Sequence, residues 1–338
     1  MATVQFSIIV PVYNRPKEVA ELFESLSQQS YKQSFEVVLI EDGSNQTSDH
    51  IVEQYAERLD ITYLRKPNTG PGDSRNYGME RAKGNYFIIF DSDCIIPSQY
   101  LETVDRALSD RFVACFGGPD RAHPSFSTLQ KAIDYSMTSW LTTGGIRGGK
   151  KAVDRFQPRS FNMGLSKEAF EATGGFGNIH PGEDPDLVFR LWQKGFQTSL
   201  VPEAYVYHKR RIDFRRFYRQ VYRFGSVRPI LNQWHPHTAK PTYWFPTVFV
   251  FGLALALVLG WFGFWWLCWG YALYGLLLLI DALLRTQSLL TAGLVLLAVP
   301  IQFFGYGLGF LKSTILVNFS KRPAEELLPH LFFKKRKS

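Results

Sequence analysis

Residues 86–93 read Tyr86-Phe87-Ile88-Ile89-Phe90-Asp91-Ser92-Asp93. Five consecutive apolar residues, aromatic or β-branched, suit a strand covered on both faces of a mostly parallel sheet. Two aspartates follow at i and i+2, so extended geometry carried past the strand end points both carboxylates the same way. Adjacent carboxylates repel unless a cation stands between them. A hard divalent ion that also bridges substrate phosphates, Mg²⁺ or Mn²⁺, is the natural occupant. A lone D-x-D also arises by chance; its place after a central strand gives it weight.

Working outward, residues 1–110 alternate short β-branched runs with helical patterns, the signature of an α/β fold with crossover helices. Strands are expected at Phe6–Val12, Phe35–Glu41, Ile61–Leu64, Tyr86–Phe90 and Val113–Gly117. Val19, Leu22, Phe23 and Leu26 recur at i, i+3, i+4, i+7, one face of a helix over 16–28. A helix is expected after Thr47, and Ser98 can cap another running to Leu108. Ligands of open α/β sheets sit beyond the carboxyl ends of the strands. There the chain places Pro11-Val12-Tyr13-Asn14, Glu41-Asp42-Gly43-Ser44 and Asp91-Ser92-Asp93. Glu41-Asp42-Gly43-Ser44 also reads as an ordinary turn.

The order SIIVPVYNRP, VVLIEDGSNQTS, NTGPGDSRNYGMERAKGNYFIIFDSD and GEDPDLVFRLWQKGF resembles the family 2 glycosyltransferases of GT-A fold, over residues 5 to 210. The resemblance implies a Rossmann-like α/β domain that binds a nucleoside-diphosphate sugar, a UDP- or GDP-sugar. Pro11, Tyr13 and Asn14 would flank the nucleoside, Asp42 would accept a hydrogen bond from the base, and Arg75 would lie near the diphosphate. Asp91 would contact the sugar or ribose side, and Asp93 would hold the metal on the diphosphate. A cation and Arg75 together can neutralise charge on a departing nucleoside diphosphate.

Gly182-Glu183-Asp184-Pro185-Asp186-Leu187 opens a helical pattern, with Asp184 as an N-cap and Pro185 at the first helical position. Capping accounts for every residue there except Glu183. The resemblance adds a role: the Glu183–Asp184 pair would be catalytic, with Asp184 deprotonating the acceptor hydroxyl so that direct displacement inverts the anomeric centre. Asn162, in Phe161-Asn162-Met163-Gly164, and Trp192 would belong to the acceptor side. His208 follows an expected strand at Ala204–Tyr207 and would join Asp91 and Asp93 at the metal, or else sit on the surface beside Lys209, Arg210 and Arg211. TTGGIRGGKK, residues 142–151, reads as a flexible loop.

Net charge by segment is more telling than the total of +8. Residues 1–204 carry −5, residues 205–244 carry +8, and residues 320–338 carry +4. Between the last two, residues 245–319 contain only Asp281, Arg285 and Lys312 as charged groups. Basicity that flanks an apolar block points to anionic membrane lipids and away from nucleic acid. Phe214, Phe217, Tyr218 and Val221 face one way and Arg215, Arg216, Arg219 and Arg223 the other, a basic amphipathic helix of the kind that lies in a membrane interface or packs on the catalytic domain. Gln220 to Phe224 resembles the Q-x-x-R-W element of membrane-integrated synthases, with Phe in place of Trp. Gln220 and Arg223 are therefore interfacial candidates.

The apolar block divides into 246–264, 266–284 and 289–311, each near the ~20 residues that cross a bilayer. Basic segments on both flanks ask to be cytoplasmic, which needs an even number of crossings. Pro300 and the glycines at 305, 307 and 309 would allow the last segment to break into a re-entrant pair. Cys94, Cys115 and Cys268 have neither zinc nor disulfide spacing. The start, MATVQFSIIVPVYNRP, lacks a basic n-region and reads as a buried strand, so the first domain is expected in the cytoplasm.

The organisation expected is therefore a catalytic domain over 1–210, an interfacial helix and linker over 211–244, transmembrane helices over 245–319 and a basic tail over 320–338. The function expected is transfer of a sugar to a lipid-linked (polyprenyl) or cell-surface glycan acceptor at the cytoplasmic membrane. The alternatives are a non-catalytic nucleotide-sugar-binding scaffold and a processive polysaccharide synthase.

Overall fold

The structure is a computed structural model that describes residues 5–121, 126–144, 156–208 and 213–334, with His208 described by its backbone alone. The chain divides into two compact units. One joins Met1–His123, Lys150–Lys209 and Phe332–Ser338; the other joins Pro124–Gly149 and Arg210–Leu331.

The first unit is built as β1 (Phe6–Val12), α1 (Pro16–Ser27), β2 (Glu36–Asp42), α2 (Asp49–Tyr55), β3 (Asp60–Lys66), α3 (Pro71–Met79), β4 (Tyr86–Phe90), β5 (Cys94–Ile95), α4 (Tyr100–Asp110), β6 (Cys115–Gly117) and β7 (Asp120–Arg121). Two helices of the second unit, α5 (Thr128–Thr138) and α6 (Trp140–Thr143), interrupt it. It resumes with β8 (Asn162–Ser166), α7 (Lys167–Thr173), α8 (Glu183–Gln193), β9 (Thr198–Leu200) and β10 (Val206–His208).

Seven strands form one sheet in the order β3-β2-β1-β4-β8-β6-β9. β3, β2, β1 and β4 run parallel, while β8 is antiparallel to both β4 and β6. The fold class read from the sequence is therefore the one observed, with the antiparallel strand inserted at Asn162–Ser166. β1, β2 and β4 are buried along their whole length, which their near-continuous Val, Ile and Phe content requires of a sheet covered on both faces. Ile8, Val10, Leu39, Ile88 and Phe90 enter one core with Val19, Leu22 and Phe23 of α1, and Ile9, Ile40, Phe87 and Ile89 enter the other with Leu187 and Leu191 of α8. A separate ribbon, β5-β10-β7, pairs His208 with Cys94 through the backbone.

The second unit continues with α9 (Phe214–Trp234), α10 (Phe245–Trp261), α11 (Trp266–Thr286) and α12 (Leu289–Phe319). Among the described residues, three helical stretches, Pro241–Trp261, Trp266–Thr286 and Leu289–Phe319, are long and apolar enough to cross a membrane. One expectation is corrected here. α12 runs unbroken through Pro300 and Gly305 for 31 residues, so it is not a re-entrant pair. On α9, Phe217 and Val221 are buried in one cluster with Ala298 of α12, a covering partner that neither reading of this helix named. Gln220 is half-buried and Arg223 exposed on that helix. The Asp281 carboxylate accepts from Tyr135 of α5 at 2.5 Å and from Arg285 at 3.0 Å, so its charge is compensated locally. Most of the loop expected at 142–151, and Lys209 to Arg211, lie outside the described residues.

Candidate functional site

Parallel register brings the ends of β1, β2 and β4 to one edge, and each delivers polar groups there. After β2, Asp42 is buried and both of its oxygens are engaged. Oδ1 accepts from Lys66 Nζ at 2.6 Å and the Thr69 amide at 3.0 Å, and Oδ2 accepts from the Gly70 amide at 3.0 Å. Asp42 thus ties the Asn68–Gly70 turn to the sheet. Gly70 has φ of 94°, a backbone conformation that a Cβ would strain. Asn14, itself at φ 55°, turns inward: its Oδ1 accepts from the amides of Asn45 and Gln46 at 2.8 and 2.9 Å. Pro11 is buried within β1, and Tyr13 stands about half exposed beside it. Of the three residues expected to flank a nucleoside, Tyr13 presents a free ring, whereas Asn14 shapes the loop.

Arg75 is the organising charge. It is almost wholly buried on α3, donates from Nη2 to Asp91 Oδ1 at 2.8 Å and from Nη1 to Glu183 Oε1 at 3.4 Å, and lies over the Phe176 ring at 5.2 Å. Burial opposes its charge, but Asp91, Glu183 and Asp184 outweigh that and hold the guanidinium above its ordinary value. Two carboxylate motifs more than 90 residues apart are therefore joined through one side chain. Asp93 Oδ2 faces Arg15 Nη1 at 3.3 Å, and Arg15 pairs in turn with Glu18 at 2.7 Å.

The acidic pair splits into two environments. Glu183 Oε1 also meets His180 Nδ1 at 2.8 Å. Although burial resists ionisation, His180 and Arg75 hold Glu183 well below the usual carboxylate range. Asp184 goes the other way: burial first, and the neighbouring Glu183 charge second, push it up to about 6. Its Oδ2 accepts from the Ser160 amide at 3.1 Å, while its Oδ1 is shielded from solvent with no hydrogen-bond partner. Arg75 Nε is likewise buried without one. Leaving a buried polar atom unbonded costs about 1–3 kcal/mol, so these two atoms hold unused bonding capacity at the acidic pair. Asp184 is not the N-cap expected of it. α8 starts at Glu183 behind Gly182, whose φ of 122° makes the entry turn, so Asp184 sits inside the first turn.

Residues 7–173 match the family model Glycosyl transferase family 2. These residues form a family 2 glycosyltransferase domain. Over 101 residues the chain is 38% identical to poly(ribitol-phosphate) beta-N-acetylglucosaminyltransferase TarS of Staphylococcus aureus strain MW2, covering 29% of this chain and 18% of TarS. Over 215 residues it is 25% identical to the minor teichoic acid biosynthesis protein GgaB of Bacillus subtilis (62% and 23%), and over 236 residues 27% identical to the chondroitin synthase of Escherichia coli (60% and 34%). The chain thus spans about a fifth to a third of the length of these relatives. Among solved structures, the mannosyltransferase PcManGT of Pyrobaculum calidifontis in complex with GDP-Man and Mn²⁺ aligns with a TM-score of 0.54 at 16% identity, over 98% of this chain and 80% of that one. S. aureus TarS 1-349 in complex with UDP-GlcNAc aligns with a TM-score of 0.51 at 18% identity, over 91% of each. The likeness to these structures is one of fold.

Two residues read toward the acceptor side are engaged elsewhere in the structure. Asn162 is fully buried, and its amide is consumed by Tyr100, whose hydroxyl donates at 2.5 Å, and by the Ala204 carbonyl at 2.8 Å. Trp192 donates to Thr198 Oγ1 at 3.0 Å at the far end of α8, about 12 Å along the axis from Asp184. The His208 side chain lies outside the described residues, although its backbone pairs with Cys94, one residue past Asp93.

Among the described residues, no three His, Cys, Asp or Glu side chains gather as a metal site. The donor set still suits a divalent ion that takes one or two carboxylates and completes its shell with substrate phosphates and water. Asp91 and Asp93 are each paired with a guanidinium, Arg75 and Arg15.

Sequence reasoning did not find Arg15, Lys66, His180 or Phe333. Phe332 bridges to Ile179 and the Phe333 amide donates to the Asn178 carbonyl at 2.9 Å, with the Phe333 ring 5.8 Å from that of His180. A Cβ on Gly70 would collide with that ring. The C-terminal segment therefore packs against both the Gly70 turn and the loop that leads into Glu183. No pattern in the chain announces that contact across more than 150 residues.

Proposed function

We propose that the protein transfers a sugar from a nucleoside-diphosphate sugar to a lipid-linked or cell-surface glycan acceptor at the cytoplasmic face of a membrane, with inversion at the anomeric carbon. The observation that carries this reading is the Asp184 carboxylate, with one oxygen anchored on Ser160 and the other shielded and without a partner. A group poised in this way suits a general base. Its Oδ1 takes the proton of the acceptor hydroxyl as that oxygen attacks the anomeric carbon from the face opposite the leaving group. The bond between that carbon and the diphosphate oxygen breaks, and the pair of electrons leaves with the nucleoside diphosphate. Asp184 ends protonated and the product carries the inverted linkage.

Asp91 and Glu183 hold Arg75, which would set a fixed positive charge near the leaving diphosphate, and a preorganised charge costs no rearrangement during reaction. Glu183 and His180 keep that guanidinium in place. Asp91 and Asp93 would hold Mg²⁺ or Mn²⁺, which when bound supplies further charge neutralisation to the diphosphate. Tyr13 and the turn tied by Asp42 would shape the nucleoside end. The apolar helices, flanked by basic segments, support a site working on acceptors at a bilayer surface.

The experiment is a screen of detergent-purified protein against UDP- and GDP-sugars with Mn²⁺ or Mg²⁺, following release of nucleoside diphosphate and the anomeric configuration of the product. A donor-dependent release lost in Asp184→Asn is expected. Donor binding with no turnover under any condition would move the assignment to a non-catalytic nucleotide-sugar-binding scaffold.

A further inference from the structure

α12 is long and apolar enough to be a third membrane span. We propose that it lies along the bilayer surface instead, that α10 and α11 alone cross as a hairpin, and that both ends of the helical unit emerge on one side. The partner surface is a lipid bilayer. The inference rests on the reading that the apolar helices enter one, and not on the transfer chemistry.

The first argument is the company α12 keeps. A Cβ on Gly305 would stand 2.5 Å from Val221, a Cβ on Gly309 would meet the Tyr222 carbonyl, and one on Gly225 would meet that of Tyr306. Ala298 shares a buried cluster with Phe217. The two backbones therefore run side by side, 298 to 309 against 217 to 226. On that stretch α9 exposes Arg219 and Arg223, and neither has a carboxylate partner among the described residues. Both line a recess of about 190 Å³ with Tyr218, Tyr222 and His330. Lys312 follows on α12 itself. Exposed guanidinium groups belong in water or among headgroups, so the part of α12 beside them cannot lie in hydrocarbon. What remains, residues 289–297, is about 14 Å long. A hydrocarbon core of about 30 Å is out of its reach.

The second argument is where α12 touches the hairpin. Thr247 donates to the Gly307 carbonyl at 3.0 Å, Phe245 packs on Phe303 at 5.6 Å and Trp244 on Phe310 at 5.0 Å, all at the start of α10. On α11, Leu278 and Ala282 join Ala292, Val295 and Val299 near the opposite chain end. α12 thus spans the open end of the hairpin. Farther along, α10 and α11 hold each other through Tyr271 to the Phe249 carbonyl and Cys268 to that of Ala256. The tip exposes Trp261, Phe262, Trp265 and Trp269 and carries no charge. α10 measures about 26 Å over its 17 residues and α11 about 32 Å over its 21, both within the range that crosses, and tryptophans at the tip suit the far interface.

The third argument is independent of the helices. Phe332 and Phe333 pair with Ile179 and Asn178 of the first unit, so the chain has come back to the side it left. Three crossings would strand Phe333 across the bilayer from Asn178.

The test places single cysteines at Lys194, Gly263 and Lys334 in a chain stripped of Cys94, Cys115 and Cys268, reconstituted in sealed vesicles and labelled with an impermeant maleimide. Lys194→Cys and Lys334→Cys should label from the same side and Gly263→Cys from the other. Labelling of Lys334→Cys opposite to Lys194→Cys overturns the proposal, as does a Gly263→Cys that labels with Lys194→Cys or from neither side. Trypsin added to sealed vesicles of the unaltered chain gives a second reading, since the tail and the domain should be cut together or protected together. Liposome flotation separately tests entry into a bilayer, and nucleoside-diphosphate release separately tests the activity.

Discussion

The buried Arg75 guanidinium holds the partly exposed Asp91 carboxylate at 2.8 Å, and it also reaches the buried Glu183 at the start of α8 at 3.4 Å. Removing the cation leaves the buried Glu183 with His180 as its remaining partner. Breaking a pair buried on both sides, as Arg75–Glu183 is, costs about 3–5 kcal/mol. Arg75→Ala should therefore lower the thermal midpoint of the domain markedly, by calorimetry in detergent, as well as abolish transfer. A variant that melts like the parent would show that the pair does not hold the two motifs together.

Asp184→Asn keeps shape and the Ser160 contact while removing the base. Transfer should fall by about 10²- to 10⁴-fold, with donor affinity by titration calorimetry within a few-fold of the parent. Comparable losses in binding and turnover would reassign Asp184 to holding the fold.

The pH profile follows from the same residue. Burial and the Glu183 charge raise Asp184 to about 6, and the base works only when unprotonated. With saturating cation, kcat/KM should rise tenfold per pH unit below about 6 and level above it. Burial of a charge disfavours the ionised form, so the sign is fixed: lost activity on the acid side. A profile flat from pH 5 to 8 would contradict this.

Chelation should abolish donor turnover, and Mn²⁺ or Mg²⁺ should restore it. Asp93→Asn should shift the Mn²⁺ midpoint upward, at least tenfold in an activity titration, because one of two charged oxygen ligands is gone. Unchanged activity in excess chelator would remove the metal from the mechanism.

Phe333→Ala opens the contact among the tail, Gly70 and His180. The expected result is a higher KM for donor, or a lower kcat, with the melting temperature close to the parent. Gly70→Ala should do more, because it both strains a positive φ and expels the ring. Parent-like kinetics for both would make the tail contact incidental.

The run Tyr86–Phe90, and the β-branched runs around it, specify the sheet without help, because period, length and apolarity are local properties of a chain. The acidic strand end Asp91–Asp93 and the helix start at Glu183–Asp184 are legible for the same reason, as is the apolar block with its basic flanks. Side-chain partnerships are not local. Nothing near Asn162 tells that Tyr100 and Ala204 will take its amide, and nothing near Phe217 tells that α12 rather than lipid will cover it. Trp192 lies on the right helix but at the wrong end, a matter of the 1.5 Å rise per residue. Arg75 could be read as a cation near phosphate, but its hold on Glu183 depends on packing across 108 residues of chain. Periodicity and composition thus suffice for the elements and for the chemistry carried on their ends. Which carboxylate is paired, which oxygen is left bare and which helix lies beside the arginines follow from long-range burial, where free energy depends on neighbours the chain order does not list.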